Sequence, residues 1–216
     1  MTDRDRTKAH WERVYETKAS SEMSWFQAEP HRSLALIDHA APSRDDFILD
    51  VGGGDSTLVD HLMSRGYRNI SVLDISHAAL DRAKARLGQS GRGVRWVEAS
   101  VLTADLEDES VDVWHDRAVF HFLTRPVDQE AYIRQVARIV RPGGSVIVAT
   151  FAENGPTRCS GLPVARYSAR ALHSTFGVTF RLVESVGELH VTPSGARQHF
   201  TYCSCRYEPE AALVPG

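Results

Sequence analysis

From Phe47 onward, short apolar runs alternate with stretches in which apolar residues recur at helical spacing. FILDV is followed by a helical pattern over about Thr57 to Ser64, NISVLDI by one from His77 to Arg86, and VRWVEA and VDVWHD by one from Asp128 to Val140 that leads into SVIVATF. Strands joined through helices rather than tight turns imply βαβ crossovers and a parallel sheet. Pro142, Gly143 and Gly144 end the Asp128 helix, proline because it cannot continue a helix and glycine because it reverses the chain. Ahead of this block the chain reads as a helix over about Thr7 to Thr17, the stretch SSEMSWFQAEP, and a second helical pattern carrying Leu34, Leu36, Ile37 and Ala40.

After Phe151 the pattern changes. Ser168 is placed to cap a helix running through Phe176, and two extended segments follow, about Thr179 to His190 and Gln198 to Tyr207. Only Val191 to Arg197 separates them, which forces an antiparallel pair. The expected fold is α/β: a Rossmann-like, seven-stranded, mostly parallel sheet with an antiparallel final strand and helices on both faces. Residues 1–46 form an amino-terminal helical lid or extension, 47–208 the main domain, and 209–216 a flexible tail.

Composition narrows the function. The 216 residues are 42% hydrophobic and 25% charged, which suits one globular domain, and the net charge of −3 provides no field for holding nucleic acid or an anionic membrane. The charged amino terminus lacks the apolar core of a signal peptide, and no apolar run is long enough to span a bilayer, so a soluble, cytoplasmic protein is expected. Cys159, Cys203 and Cys205 suggest no disulfide framework and no paired zinc ligands. Cys203 and Cys205 alternate along one strand and read as buried structural thiols.

Candidate chemistry centres on FILDVGGGDS, where Asp50 stands at the mouth of a turn made of Gly52, Gly53 and Gly54. A carboxylate there repels phosphate. The dinucleotide fingerprint also needs glycine at position 57, which is Thr, and the Gly-Lys-Ser/Thr of a phosphate loop is absent. Asp50 suits a ligand that carries an ammonium group. Asp74 closes the next strand, where an acidic residue accepts hydrogen bonds from ribose hydroxyls. A ribose and an aminoacyl ammonium without phosphate describe S-adenosylmethionine.

At these separations DVGGGDS, VLDIS and RPGG resemble the class I S-adenosylmethionine-dependent methyltransferases, over about Phe47 to Thr150. The resemblance implies that Gly52, Gly53 and Gly54 line the methionine portion of the cofactor and that Asp74, with Ile75, meets the ribose; S-adenosylhomocysteine would be the product. Ser56 stands where the family often has its last glycine. Ser100 stands where the family usually places an acidic residue for the adenine amino group; its hydroxyl and the Val101 backbone are the candidates, with Glu98 competing and a plain loop role for Ser100 the alternative. The aromatic leader is similar to those of small bacterial methyltransferases and of protein-lysine methyltransferases that modify elongation factors.

The fourth strand ends VDVWHDRAVFHFL, at the edge where the methyl group would emerge. His121 is the candidate general base, since a histidine titrating near neutrality suits that work; the alternative is a structural histidine in a hydrophobic turn. Asp116 and Arg117 are expected to pair and line the site, with Asp116 a second catalytic candidate. Trp11, Tyr15, Trp25 and Phe26 are too many large aromatics for a solvated leader and predict a lid, or else packing against the sheet. ENGPTRCSGLPVARYS falls where an acceptor-binding loop is expected. The favoured reading is transfer to a small-molecule acceptor by a monomer or homodimer, with a protein-lysine acceptor or a non-catalytic cofactor sensor as alternatives; neither nucleic acid nor membrane is an expected partner.

Overall fold

The computed structural model describes residues 3–209. Of the expected tail over 209–216, residues 210–216 lie outside the described residues. Five strands run parallel: β1 (Ile48–Val51), β2 (Ile70–Asp74), β3 (Arg95–Glu98), β4 (Val111–Arg117) and β5 (Val140–Phe151). After a two-strand hairpin, β6 (Arg158–Cys159) with β7 (Leu162–Pro163), come β8 (Phe180–Val191) and β9 (Arg197–Tyr207). The seven-stranded sheet has the order β3-β2-β1-β4-β5-β9-β8, and β9 is antiparallel to both neighbours. This is the expected Rossmann-like arrangement.

Alternation along buried strands supplies two cores. Leu49, Trp114 and Val148 pack with Tyr132 and Val136 of α5 (Pro126–Ile139) and Phe176 of α6 (Ala169–Phe176). Ile48, Val113 and Ile147 face the other way, against Leu34 and Ile37 of α2 (His31–Ala40) and Leu58 and Leu62 of α3 (Leu58–Ser64). The direction of strand addition reverses between β1 and β4, so the carboxyl ends of these strands bound a crevice, the usual ligand position in an open α/β sheet.

Local chemistry accounts for most element ends. Ser76 Oγ accepts from the Ala79 amide to start α4 (His77–Leu87), and Ser168 Oγ accepts from Ala171 to start α6. Helix α5 opens at Pro126, two residues before the expected start, because proline fits the first helical turn, where no amide donor is needed. Val140 already pairs with Val111, and pairing resumes at Ser145 with Val113, so Arg141 to Gly144 loop out within β5 instead of separating helix from strand.

The leader helix α1 extends over Asp3–Thr17, beginning four residues earlier than expected. Its Val14 and Tyr15 pack with Met23 and Ala79. All three cysteines are buried free thiols. Among the described residues no helix is long and apolar enough to cross a membrane.

Candidate functional site

The glycine turn follows β1 directly. Gly52 (φ +66°) and Gly54 (φ +44°) adopt the left-handed conformation that glycine occupies without a Cβ penalty. A Cβ at Gly52 would lie 2.0 Å from Val119 Cγ2, at Gly53 2.3 Å from Asp50 Oδ2, and at Gly54 2.7 Å from Asp74 Oδ2 and 3.0 Å from the Tyr15 hydroxyl. The three glycines are therefore required by the crowding of the chain's own side chains around the turn. That reason adds to the ligand approach expected from the motif.

Asp50 and Asp74 sit on either side of this turn. Asp50 is buried; Oδ1 accepts from His115 Nδ1 at 2.8 Å, and Oδ2 has no partner. Asp74 Oδ1 accepts from the Ser76 amide at 2.8 Å. Burial pushes its carboxyl up to about 7, with the nearby Asp50 and Glu12 carboxylates adding to the rise and the Ser76 bond opposing it.

Two joined cavities open here. The larger, about 770 Å³, is lined on one side by Gly52, Asp74, Ile75, Ser100 and Val101 and on the other by Trp11, Trp25, Phe122 and Leu123. The smaller, about 60 Å³, is lined by Asp50, Gly53, Phe26, Ser33 and His115, and Tyr15, Trp25, Gly52 and Arg117 border both. Glu98, the competing candidate at the adenine end, is outside the cavity lining: its carboxylate pairs with Lys8 and with His77 Nδ1, the latter at 2.8 Å.

The end of β4 requires two corrections. Asp116 is fully buried and turned toward α5. It accepts from the Val119 amide at 2.8 Å, the Phe120 amide at 3.0 Å and the Tyr132 hydroxyl at 2.6 Å, and Tyr132 in turn accepts from Trp114 Nε1 at 2.9 Å. Burial pushes its carboxyl up to about 6. Asp116 thus pins the Phe120–Phe122 turn, lines neither cavity and does not pair with Arg117.

His121 is the second correction. It is fully buried between the Phe122 and Phe151 rings, at centroid distances of 4.5 and 4.8 Å, with neither ring nitrogen bonded. Burial, with Arg117 nearby, pushes it down to about 3. The imidazole lines neither cavity, which agrees with the alternative of a structural histidine in a hydrophobic turn.

Arg117 does border the site. Its Nε donates to the Tyr202 hydroxyl at 2.9 Å and Nη1 to the Trp25 carbonyl at 3.2 Å, while Glu188 Oε2 lies 3.4 Å from Nη2 and the guanidinium sits 4.3 Å over Phe200. Cys159 of the β6–β7 hairpin lines the large cavity, so the segment expected to meet the acceptor reaches it through one buried thiol, pushed up to about 11 by burial. The sequence places His115 at the end of the fourth strand without assigning it a role, and only the fold brings it to Ser33, which no motif marks.

The leader contributes Trp11, Tyr15 and Trp25 to the lining of the large cavity. Trp11 meets Trp25 at 5.8 Å and Phe122 at 5.1 Å, and Tyr15 meets Trp25 at 6.2 Å. Phe26 packs in the same cluster. Glu12 fastens α1 to the start of α4: its carboxylate accepts from the Ser76 hydroxyl at 2.9 Å and from the His77 and Ala78 amides at 2.8 and 2.9 Å. An acidic group at a helix amino terminus is favoured by the exposed amides and the helix dipole.

The profile of the family described as "Methyltransferase domain" matches residues 49–148. An uncharacterized methyltransferase of Mycobacterium tuberculosis is 31% identical over 117 residues, which cover 54% of this chain and 56% of that protein. A ubiquinone/menaquinone biosynthesis C-methyltransferase of Roseobacter denitrificans is 30% identical over 122 residues, covering 55% and 48%. An EEF1A lysine methyltransferase of Danio rerio is 25% identical over 158 residues, covering 67% and 68%. The chain spans about half the length of the first two of these relatives.

Among solved structures, one describing conversion of a disulfide bond into a thioacetal group during echinomycin biosynthesis has a TM-score of 0.77 at 19% identity, covering 96% of this chain and 95% of that one. The 1,6-didemethyltoxoflavin-N1-methyltransferase of Burkholderia thailandensis, solved with bound S-adenosylhomocysteine, has a TM-score of 0.66 at 19% identity, covering 96% and 92%. These structural likenesses speak for the fold. Taken with the glycine turn at the strand reversal, the matched domain makes residues 49–148 similar to the methyltransferase domain of these relatives, within a fold shared with S-adenosylmethionine-dependent methyltransferases.

Proposed function

We propose that this protein transfers the methyl group of S-adenosylmethionine to a small, flat, largely apolar acceptor held beneath the aromatic leader. The observation that carries the reading is the two-sided cavity of about 770 Å³, polar beside Asp74 and aromatic beside Trp11, Trp25 and Phe122. The chain's residues fit the cofactor. Asp74 and Ile75 suit the ribose, and Ser100 and Val101 the adenine. Gly52 and Gly53 with Asp50 suit the aminoacyl end, with Arg117 bordering it, while Gly54 lines neither cavity and makes room for Asp74 and Tyr15.

The bound cofactor supplies a methyl group already activated on a sulfonium, so the chain's work is alignment and exclusion of water. Trp11, Tyr15 and Trp25 perform the exclusion as a lid that Glu12 latches. Among the described residues lining the large cavity there is no histidine or lysine, the Cys159 thiol is pushed up to about 11, and the Tyr15 phenol is raised by burial and by Asp74.

Labelled cofactor incubated with cell extract tests the reading. Label should enter the small-molecule fraction; label confined to protein would replace the acceptor class, and tight cofactor binding with no transfer to either fraction would favour a sensor.

A further inference from the structure

The unpartnered oxygen of Asp50 raises a question that the motif does not answer: what keeps that carboxylate aimed? Strands β1 and β4 pair in parallel with Asp50 and His115 as register partners, so the two side chains emerge side by side on the α2 face of the sheet. The side chain of His115 is 2% exposed and that of Asp50 4%. His115 Nδ1 donates to Asp50 Oδ1 at 2.8 Å, and His115 Nε2 is hydrogen-bonded to Ser33 Oγ of α2 at 2.9 Å. Both ring nitrogens are engaged, which fixes the imidazole in its plane, and the imidazole holds one carboxylate oxygen while leaving the other free.

We infer that His115, backed by Ser33, is a positioning residue that holds Asp50 so that Oδ2 receives the ammonium of the cofactor's aminoacyl tail. The inference rests on the cofactor assignment above. A buried pair serving only the fold would satisfy both carboxylate oxygens, because an unbonded buried acceptor is costly. Here Oδ2 has no partner and lies beside Gly53, and both Asp50 and Gly53 line the small cavity of about 60 Å³. Arg117 lines the same cavity, but its guanidinium is directed to Tyr202, the Trp25 carbonyl and Glu188. A cation arriving from the ligand is the partner that completes the set.

The test compares two ligands by calorimetry: S-adenosylhomocysteine, and 5′-methylthioadenosine, which retains the adenosine and thioether but lacks the aminoacyl tail. His115→Phe should weaken S-adenosylhomocysteine by about tenfold or more, the range expected for a lost charge-assisted bond, and leave 5′-methylthioadenosine within about twofold. Ser33→Ala should show a smaller loss with the same selectivity; it carries the test alone if circular dichroism shows His115→Phe to be unfolded. Equal losses for both ligands would mean that the pair only supports the fold, and unchanged S-adenosylhomocysteine binding would remove His115 from the site; either result overturns the inference. Wild-type protein that binds neither ligand refutes the cofactor assignment itself, a separate failure visible before any variant is made.

Discussion

Replacing Asp74 with Asn separates what the fold wants from what the ligand wants. In the ligand-free protein burial pushes the Asp74 carboxyl from its ordinary 3.8 up to about 7, a rise of about three units. At 1.36 kcal/mol per unit this amounts to a penalty of at most about 4 kcal/mol on the folded state once Asp74 is ionised. The sign follows from proton counts. Below pH 4 the group is protonated in both states and costs nothing; between about pH 4 and 7 the folded state holds a proton that the unfolded state has released, so this contribution to stability is lost as pH rises. Asn keeps the shape and can still accept from the Ser76 amide, the bond that Oδ1 makes now. Asp74→Asn should therefore match the parent near pH 4 and exceed it by about 2–4 kcal/mol at pH 8, a melting rise of roughly 5–10 °C for a chain of this size. The same change should weaken S-adenosylhomocysteine more than tenfold, because bonds from ribose hydroxyls to a charged acceptor are each worth about 1.5–3 kcal/mol. Urea and thermal melts from pH 4 to 8, with calorimetry at pH 8, read both effects. A stability difference that is flat with pH, or an Asn variant that binds as tightly as the parent, would refute the reasoning.

Gly52→Ala should cost about 2 kcal/mol or more in urea melts, from left-handed strain and from the clash with Val119. Adding Val119→Ala should recover the steric part, and a double variant no more stable than the single would show that the clash is not the cause. His121→Leu should leave methyl transfer intact. Because His121 is pushed down to about 3, the fold loses stability through it as pH falls from about 6.5 toward 3, so the Leu variant should retain more stability at pH 5 than the parent; loss of transfer in a folded variant would return His121 to catalysis. Glu12→Ala removes the cap shared by α1 and α4 and should cost about 1 kcal/mol. Hydrogen exchange over residues 8–28 should rise in that variant and fall when S-adenosylhomocysteine binds, whereas equal protection in every state would mean the leader is permanently packed.

The parts of the fold that were legible in the sequence are those whose burial leaves a mark on spacing. Strands β1 and β2 are buried along their whole length, so each reads as an unbroken apolar run with a helix beyond it. The antiparallel pair was legible from the short connection between its strands. The β6–β7 hairpin left no such mark, since its strands are two residues each and it turns at Ser160 and Gly161, both at positive φ. Asp50, Asp74, the glycines, Ser100 and Val101 stand out in the sequence because they form or follow a motif tied to strand ends, and all but Gly54 line one of the two cavities.

Asp116 misled because β4 is buried on both faces, so a polar residue near its end can serve either core and alternation alone does not say which. The deciding partners come from elsewhere: Tyr132 on α5 and the amides of Val119 and Phe120 occupy both oxygens of Asp116, while Ser33 on α2 backs His115. The two carboxylates differ in how completely the neighbouring elements bond them. Asp116 receives three donors and is spent on the fold. Asp50 receives one donor, and its second oxygen has none. This difference in donor supply, more than the acidic side chains themselves, separates the end of β1, where a buried oxygen is left unbonded, from the end of β4, which anchors a turn.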